Sequence, residues 1–148
     1  MSSTPQSPRR FVLSADGLTL DGPAPAVYPL PQAGATLVDL WRSDVVPLDN
    51  AAPGDPTVQG EFALMPGGAL FRYVVIDPTG DGEPMWHQTP STDFSWILSG
   101  DATLRWPGGQ TVLRAGDACV VRGGEHAWAN LTDQPVCLVT VAVAAVSN

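Results

Sequence analysis

The chain contains no lysine, and all seven of its basic residues are arginine. Fifteen acidic residues outnumber them, so the formal net charge is −8 at pH 7. A nucleic-acid-binding surface needs concentrated positive charge, and an anionic membrane surface attracts basic segments. We therefore expect neither nucleic acid nor a membrane as a partner.

Long apolar stretches are also missing. No run of apolar residues approaches the roughly 20 that a membrane-spanning helix needs. Residues 1–10 hold Ser, Pro and Gln where a secretory signal would carry an apolar core. The only cysteines, Cys119 and Cys137, lie within apolar stretches, which favours buried free thiols over a disulfide. Together these absences predict a cytoplasmic protein.

Turn-forming residues are abundant, with 15 Gly and 15 Pro in 148 residues. Hydrophobic residues make up 44% of the chain, enough for one buried core. Short apolar segments separated by Gly- and Pro-rich turns are typical of β-sandwiches and β-barrels. No segment keeps a helical period for three turns. We predict a single all-β domain.

Nine segments have the composition of β-strands. They are 35–41, 61–64, 69–76, 94–98, 102–106, 111–114, 118–121, 126–129 and 136–143. Before them, we expect a mobile tail over 1–10, an early strand within 11–20, and an extended Pro-rich segment without regular structure over 21–32. We therefore divide the chain into a partly disordered, Pro-rich N-terminal arm, 1–33, and a barrel domain, 34–148.

One short motif in the second half of the chain resembles the first motif of the cupin superfamily. In that family the motif places two histidines and a glutamate between glycines. Here His87 occupies the place of the first histidine, Thr89 that of the second and Asp93 that of the glutamate. Gly100 follows after six residues as in the family, whereas Gly82 lies one position too close to His87.

The second cupin motif is also matched. Gly116 opens it, Arg122 stands where the family has proline, and Gly123 precedes His126 by the usual two intervening residues. Asn130 closes the motif after three more residues. The chain is thus identified as a small single-domain cupin, and the resemblance implies a jelly-roll β-barrel, or double-stranded β-helix, with a site inside it.

A narrower resemblance concerns the two positions, Thr89 and Asp93, at which this chain lacks the usual cupin ligands. Residues 85–93, together with 40–44 upstream, are similar to a subgroup of small bacterial and fungal cupins. In that subgroup the second histidine of the first motif is also threonine, and the glutamate is aspartate.

The chain has only two histidines, His87 and His126, and both fall at cupin ligand positions. The resemblance implies that they hold a divalent metal together with Asp93. Two histidines and one carboxylate suit Fe(II), and also Zn(II), Mn(II) or Ni(II). Thr89 is a poor metal ligand and is better suited to hydrogen-bonding a bound molecule. The alternative is a metal-free cavity in which the two histidines are polar anchors.

Aromatic and polar residues around the motifs are predicted to form an apolar pocket with a few polar groups, the usual form of a small-molecule site. Alternation along strands places Trp128 and Asn130 on the same face as His126. Glu125 is a candidate general base, in addition to catalytic roles for His87 and His126. The predicted ligand-binding set is Thr89, Phe71, Tyr73, Trp86, Trp128 and Asn130.

Two functions follow from these expectations. The first is a divalent-metal-dependent enzyme that acts on a small organic ligand by lyase, isomerase, decarboxylase or oxygenase chemistry, using His87, Asp93 and His126. The second is a metal-free, non-catalytic cupin that binds a small molecule. By analogy with the fold, we expect a homodimer, with the Pro-rich arm over 21–32 reaching across to the partner.

Overall fold

The computed structural model of this protein describes residues 7–58 and 61–146. Within these ranges the chain forms eleven β-strands and one turn of 3-10 helix. The strands are β1 (Arg9–Ser14), β2 (Gly17–Pro23), β3 (Ala26–Leu30), β4 (Ala35–Ser43), β5 (Ala69–Ile76), β6 (Ser91–Ser99), β7 (Ala102–Trp106), β8 (Gly109–Leu113), β9 (Ala118–Arg122), β10 (Ala127–Ala129) and β11 (Val136–Ala144), and the 3-10 turn is Pro31–Ala33.

The strands form three antiparallel sheets. The largest has the order β3-β4-β5-β11-β6-β9, a second has the order β10-β7-β8, and β1 and β2 form a separate hairpin. The non-sequential neighbours, such as β11 between β5 and β6, are typical of a jelly roll. The predicted all-β fold is thereby confirmed, with sheets that remain unclosed. No helix in the described part of the chain is long or apolar enough to span a membrane.

The hydrophobic core lies between the six-stranded and the three-stranded sheets. From the larger sheet, Ile97, Val136 and Leu138 are at most 1% exposed, and they pack with Ala102 and Leu104 of the smaller one. Inward and outward residues alternate along each strand because successive side chains leave a strand on opposite faces. This alternation decides which side chains reach the interior beyond the core.

Eight of the nine predicted strands are present, with ends that shift by a few residues. The exception is 61–64, which is wrong because the segment pairs with no described strand. Arginine side chains satisfy its carbonyl groups instead: Arg42 donates to Glu61 O at 2.8 Å, and Arg72 donates to Ala63 O at 2.8 Å. The segment therefore lies against the large sheet without extending it.

The N-terminal arm is more regular than we predicted. The Pro-rich segment 21–32 is not irregular, since β3 pairs with β4 at the edge of the large sheet. Pro29 fits there because an edge strand tolerates a residue without a backbone N–H. The predicted mobile tail covers 1–10, and residues 1–6 of it lie outside the described ranges. Arg9 and Arg10, by contrast, belong to β1.

Arg10 ties the β1–β2 hairpin to the rest of the fold. Its guanidinium forms an ion pair with Asp55 and donates a hydrogen bond to Leu40 O at 2.8 Å. Burial opposes ionisation of Asp55, but hydrogen bonds from Arg10 and Thr57 outweigh this effect and lower the pKa of its carboxyl group. The pair is therefore charged at neutral pH, and it holds the hairpin over the β4–β5 end of the large sheet.

Candidate binding cavity

A cavity opens between the inner faces of the two larger sheets. It encloses about 870 Å³ of space, including solvent at the open mouth. Twelve of its lining residues are apolar, among them Leu70, Val74, Leu138 and Trp128. The apolar wall is interrupted by seven polar or charged residues: Arg72, His87, Thr89, Asp93, Ser95, His126 and Thr140.

The fold brings the two histidines together. His87 and His126 are opposite each other in a single antiparallel bridge, with backbone N–H to O distances of 2.9 and 3.0 Å. Their ring centroids are 4.3 Å apart and the rings are tilted by 60°. His126 is only 4% exposed, whereas His87 is half-buried at the cavity wall.

Backbone carbonyls fix the tautomer of both rings. Nδ1 of His87 lies 3.2 Å from Met85 O, and Nδ1 of His126 lies 2.8 Å from Gly124 O. A carbonyl oxygen only accepts hydrogen bonds, so each Nδ1 must carry the proton and each neutral ring keeps a lone pair on Nε2. Neither Nε2 atom has a hydrogen-bond partner in the described part of the chain.

Electrostatics favour the neutral form of His87. Burial is the main cause that lowers the pKa of His87, and the neighbouring His126 lowers it further. The Met85 carbonyl and Asp93 act in the opposite direction without cancelling the effect. The ring is therefore uncharged at pH 7, and its Nε2 lone pair is available to a ligand.

A chain of hydroxyl groups holds Asp93. Ser91 Oγ donates to Asp93 Oδ1 at 2.6 Å, and Thr89 Oγ1 lies 2.8 Å from Ser91 Oγ. Since the single hydroxyl proton of Ser91 goes to Asp93, Thr89 must donate to Ser91. Ser91 was not among the predicted site residues, although it lies midway between the motif positions Thr89 and Asp93.

The expected three-ligand metal set is not preassembled. Among residues 7–58 and 61–146, no group of three or more His, Cys, Asp or Glu side chains is close enough to hold a metal ion. The two imidazoles fit a metal in chemistry and orientation, because metal-binding histidines usually donate their other N–H to a carbonyl or carboxylate. Asp93 shares the cavity without joining them, so its role as a ligand stays a prediction.

Three predicted aromatic ligand-binding residues lie outside the cavity. Phe71 and Tyr73 occupy the outer face of β5, where Tyr73 packs against Val38 beneath the N-terminal arm. Trp86 is exposed, because His87 is directed inward and its immediate neighbour is directed outward. Trp128, by contrast, lines the cavity as expected.

Asn130 and Glu125 are also placed away from the cavity. Asn130 is fully buried beyond the end of β10, where strand alternation no longer applies, and its amide donates to Ile76 O at 2.9 Å and Gln134 O at 2.6 Å. Its carbonyl oxygen accepts from Thr132. Glu125 is exposed in the turn before β10 and does not line the cavity. Asn130 therefore stabilises a turn, and the position of Glu125 is unsuited to a general base.

Sequence reasoning missed three polar cavity residues, Arg72, Ser95 and Thr140. The sequence pattern that could have identified Arg72 is the alternation along β5, which puts Arg72 and Val74 on the face opposite Phe71 and Tyr73. We assigned the aromatic face to the pocket, whereas the structure turns the arginine face inward.

Comparisons with known proteins agree with this architecture. A family model described as a cupin domain matches residues 72–142. The crystal structure of an RmlC-like cupin from Shewanella frigidimarina superposes with a TM-score of 0.55 at 15% identity, covering 80% of this chain and 83% of that chain. At this identity the likeness concerns the fold.

Two curated fungal proteins are similar in sequence. Oryzines biosynthesis cluster protein J of Aspergillus oryzae is 41% identical over 68 residues, which cover 45% of this chain and 37% of that protein. Phomopsin biosynthesis cluster protein D of Diaporthe leptostromiformis is 34% identical over 95 residues, which cover 63% of this chain and 47% of that protein. The matched region thus spans less than half the length of either relative.

Proposed function

Because this chain belongs to the cupin superfamily, we propose that its barrel cavity binds a small organic molecule beside His87 and His126. The observation that carries this proposal is the pair of imidazole rings in the wall of a mainly apolar cavity, each with its Nδ1 against a backbone carbonyl. Apolar walls with a few convergent polar groups are the usual form of a small-molecule site. The two fungal relatives are named as proteins of biosynthesis clusters, which supports a small organic molecule as ligand.

The first candidate function is that of a metal-dependent enzyme. A divalent metal, Fe, Zn, Mn or Ni, would be held by Nε2 of His87 and of His126, with Asp93 supplying a carboxylate. The metal would supply Lewis-acid or dioxygen chemistry of lyase, isomerase, decarboxylase or oxygenase type. The chain's own contribution is to keep the His87 ring neutral, to hold Nδ1 of both rings against backbone carbonyls, to hold Asp93 through Ser91, and to exclude water from the bound molecule by the apolar wall.

The second candidate function is metal-free binding of the same kind of molecule. It is favoured by the absence of a three-ligand cluster among the described residues and by Thr89 at the place of a histidine. In this case the two Nε2 atoms accept hydrogen bonds from hydroxyl or N–H groups of the ligand.

Elemental analysis distinguishes the two candidates. Untagged protein is incubated with Fe(II), Zn(II), Mn(II) or Ni(II), desalted, and measured by plasma mass spectrometry. The enzyme proposal expects close to one metal per chain in the wild type and in Asp101→Asn, an exposed carboxylate control, and almost none in His126→Ala. Metal that is retained in His126→Ala would contradict the assignment of His126 as a ligand. A wild type that binds no metal under any of these conditions would contradict the enzyme proposal and support metal-free binding.

We also propose that a second copy of the chain covers the outer face of the large sheet. Five large apolar side chains, each 39–56% exposed, lie side by side on neighbouring strands and form the outer apolar patch: Phe71, Phe94, Trp96, Val120 and Val141. The outward positions of β6 and β11 carry no charge. In a chain of net charge −8, this is where two copies can meet without repulsion.

The size of the outer apolar patch fits such a contact. Its side chains expose on the order of 400 Å² of apolar surface, about half of the ~800 Å² that each partner buries in a standard interface. The edges of the patch would supply the polar rim that interfaces of this kind have.

Trp96→Glu is expected to convert a dimer into a monomer, because it places a charge in the middle of the apolar contact. Sedimentation velocity should give about twice 15.5 kDa for the wild type and about 15.5 kDa for the variant. Trp106→Glu, which alters another exposed tryptophan (43%, against 52% for Trp96) on β7 outside the outer apolar patch, should remain dimeric. A monomeric wild type at micromolar concentration contradicts the proposal.

A further inference from the structure

A row of polar side chains crosses four neighbouring strands, and all of its members except the fully buried Asp39 line the cavity. Asp39 of β4 pairs in register with Arg72 of β5, Arg72 with Thr140 of β11, and Thr140 with Ser95 of β6. We call these four residues the polar band. Apolar residues such as Leu37, Val74 and Leu138 form the next row on one side, so the band borders an apolar part of the cavity wall.

The polar band has more hydrogen-bond donors than the protein uses. Arg72 donates from Nε to Asp39 Oδ1 at 2.5 Å, from Nη1 to Leu64 O at 3.3 Å and from Nη2 to Ala63 O at 2.8 Å. A guanidinium has five N–H groups, so two lack a partner in the described chain.

The hydroxyl groups of Ser95 and Thr140 are 2.9 Å apart, and they bond each other. One of them must donate to the other, which leaves one hydroxyl proton without an acceptor in the described chain. The cavity side of the band therefore offers several donors to a molecule that brings an acceptor.

The charges around the band decide what kind of acceptor fits. Asp39 is fully buried and balances Arg72, while Asp93, two residues from Ser95, adds a negative charge to the cavity. An anionic head group would thus be buried without a compensating charge, which is costly, whereas a neutral oxygen acceptor is accommodated.

The Asp39–Arg72 pair is not explained by stability alone. Asp39 Oδ2 is buried and has no hydrogen-bond partner among residues 7–58 and 61–146, and apolar side chains of similar size would often be as stable as such a pair. Asp39 is better explained as a positioning residue that holds the Arg72 guanidinium at the cavity wall.

We propose that the polar band recognises an uncharged organic molecule by its carbonyl-type oxygen, which accepts hydrogen bonds from Arg72 and from the Ser95–Thr140 hydroxyl pair. The rest of the molecule lies along the apolar wall, and its opposite end faces the two histidine Nε2 atoms. This inference rests on the proposed function, since it specifies what the cavity binds.

The test compares four probes that share one ring and differ in one group: methyl benzoate, benzamide, benzoate and toluene. Binding to the full wild-type chain is followed through the NMR signal of the Trp128 indole N–H, which is assigned by its loss in Trp128→Phe. We expect the ester and the amide to bind about tenfold more tightly than benzoate and toluene, as a gain of one to two neutral hydrogen bonds implies.

The double variant Ser95→Ala/Thr140→Val keeps the volume of the cavity and should reduce the advantage of the ester and the amide over toluene severalfold. Thr92→Val, on the outer face of β6, should not change it. If benzoate binds most tightly, or all four probes bind alike, the inference is wrong while cavity binding stands. If no probe shifts the Trp128 signal, both the inference and the proposed function are contradicted.

Discussion

Asp39→Asn is expected to lower the free energy of unfolding by about 3–5 kcal/mol, although it changes neither the size nor the shape of the side chain. The loss arises because Arg72, only 5% exposed, would then be a buried charge without a counter-ion. For a domain of this size such a loss lowers Tm by about 10 °C. Urea denaturation and calorimetry measure both quantities.

A double variant separates the cost of a broken pair from the contribution of the intact pair. In Asp39→Leu/Arg72→Met, both charges are removed together, so we expect much of the lost stability to return. Asp101→Asn, which removes an exposed carboxylate, should change the free energy of unfolding by less than about 0.5 kcal/mol. A double variant that is less stable than Asp39→Asn would contradict this account of the pair.

Asn130→Ala is expected to lower the free energy of unfolding by about 3–4 kcal/mol, because it removes a fully buried amide that joins the turn 130–134 to the end of β5. Without the amide, the carbonyls of Ile76 and Gln134 lose a donor, and Thr132 loses its acceptor. Each buried polar group left without a partner costs about 1–3 kcal/mol. Thermal unfolding and urea titration provide the measurement.

The same variant distinguishes a structural role from a ligand-binding one. Asn50→Ala, an exposed asparagine in a loop, is the matched control and should leave stability unchanged within about 0.5 kcal/mol. At a temperature where Asn130→Ala is still folded, probe binding at Trp128 should match the wild type. Weakened binding in a variant with unchanged stability would restore Asn130 to the binding site.

The sequence was sufficient to predict the fold and the histidine pair. Turn-separated apolar segments placed eight of nine strands, and two motifs located His87 and His126 in one cavity. These features depend on local composition and on spacing along the chain. Segment 61–64 was mistaken for a strand because side-chain donors from Arg42 and Arg72 replace a neighbouring strand there, and such long-range partners leave no local pattern.

The choice of pocket residues required knowledge that alternation alone does not provide. Alternation separates Phe71 and Tyr73 from Arg72, but it does not say which face turns inward. We predicted that the aromatic face of β5 lies inside the barrel. In the fold, Tyr73 instead packs beneath the N-terminal arm, and Phe71 belongs to the outer apolar patch. Alternation also does not place Asn130, since β10 ends one residue before it, and its side chain lies away from the cavity.

The claim on which both candidate functions depend is that His87 and His126 present unprotonated Nε2 atoms to the cavity. Long-range proton–nitrogen NMR of histidine-labelled protein at pH 7 tests it directly, and the chain has only these two histidines to assign. In both rings the neutral form is predicted to carry its proton on Nδ1, because each Nδ1 faces a backbone carbonyl that can only accept. His87 is also predicted to be neutral at pH 7, because burial lowers its pKa. An Nε2–H tautomer at either position, or a doubly protonated His87 ring at pH 7, would contradict this claim.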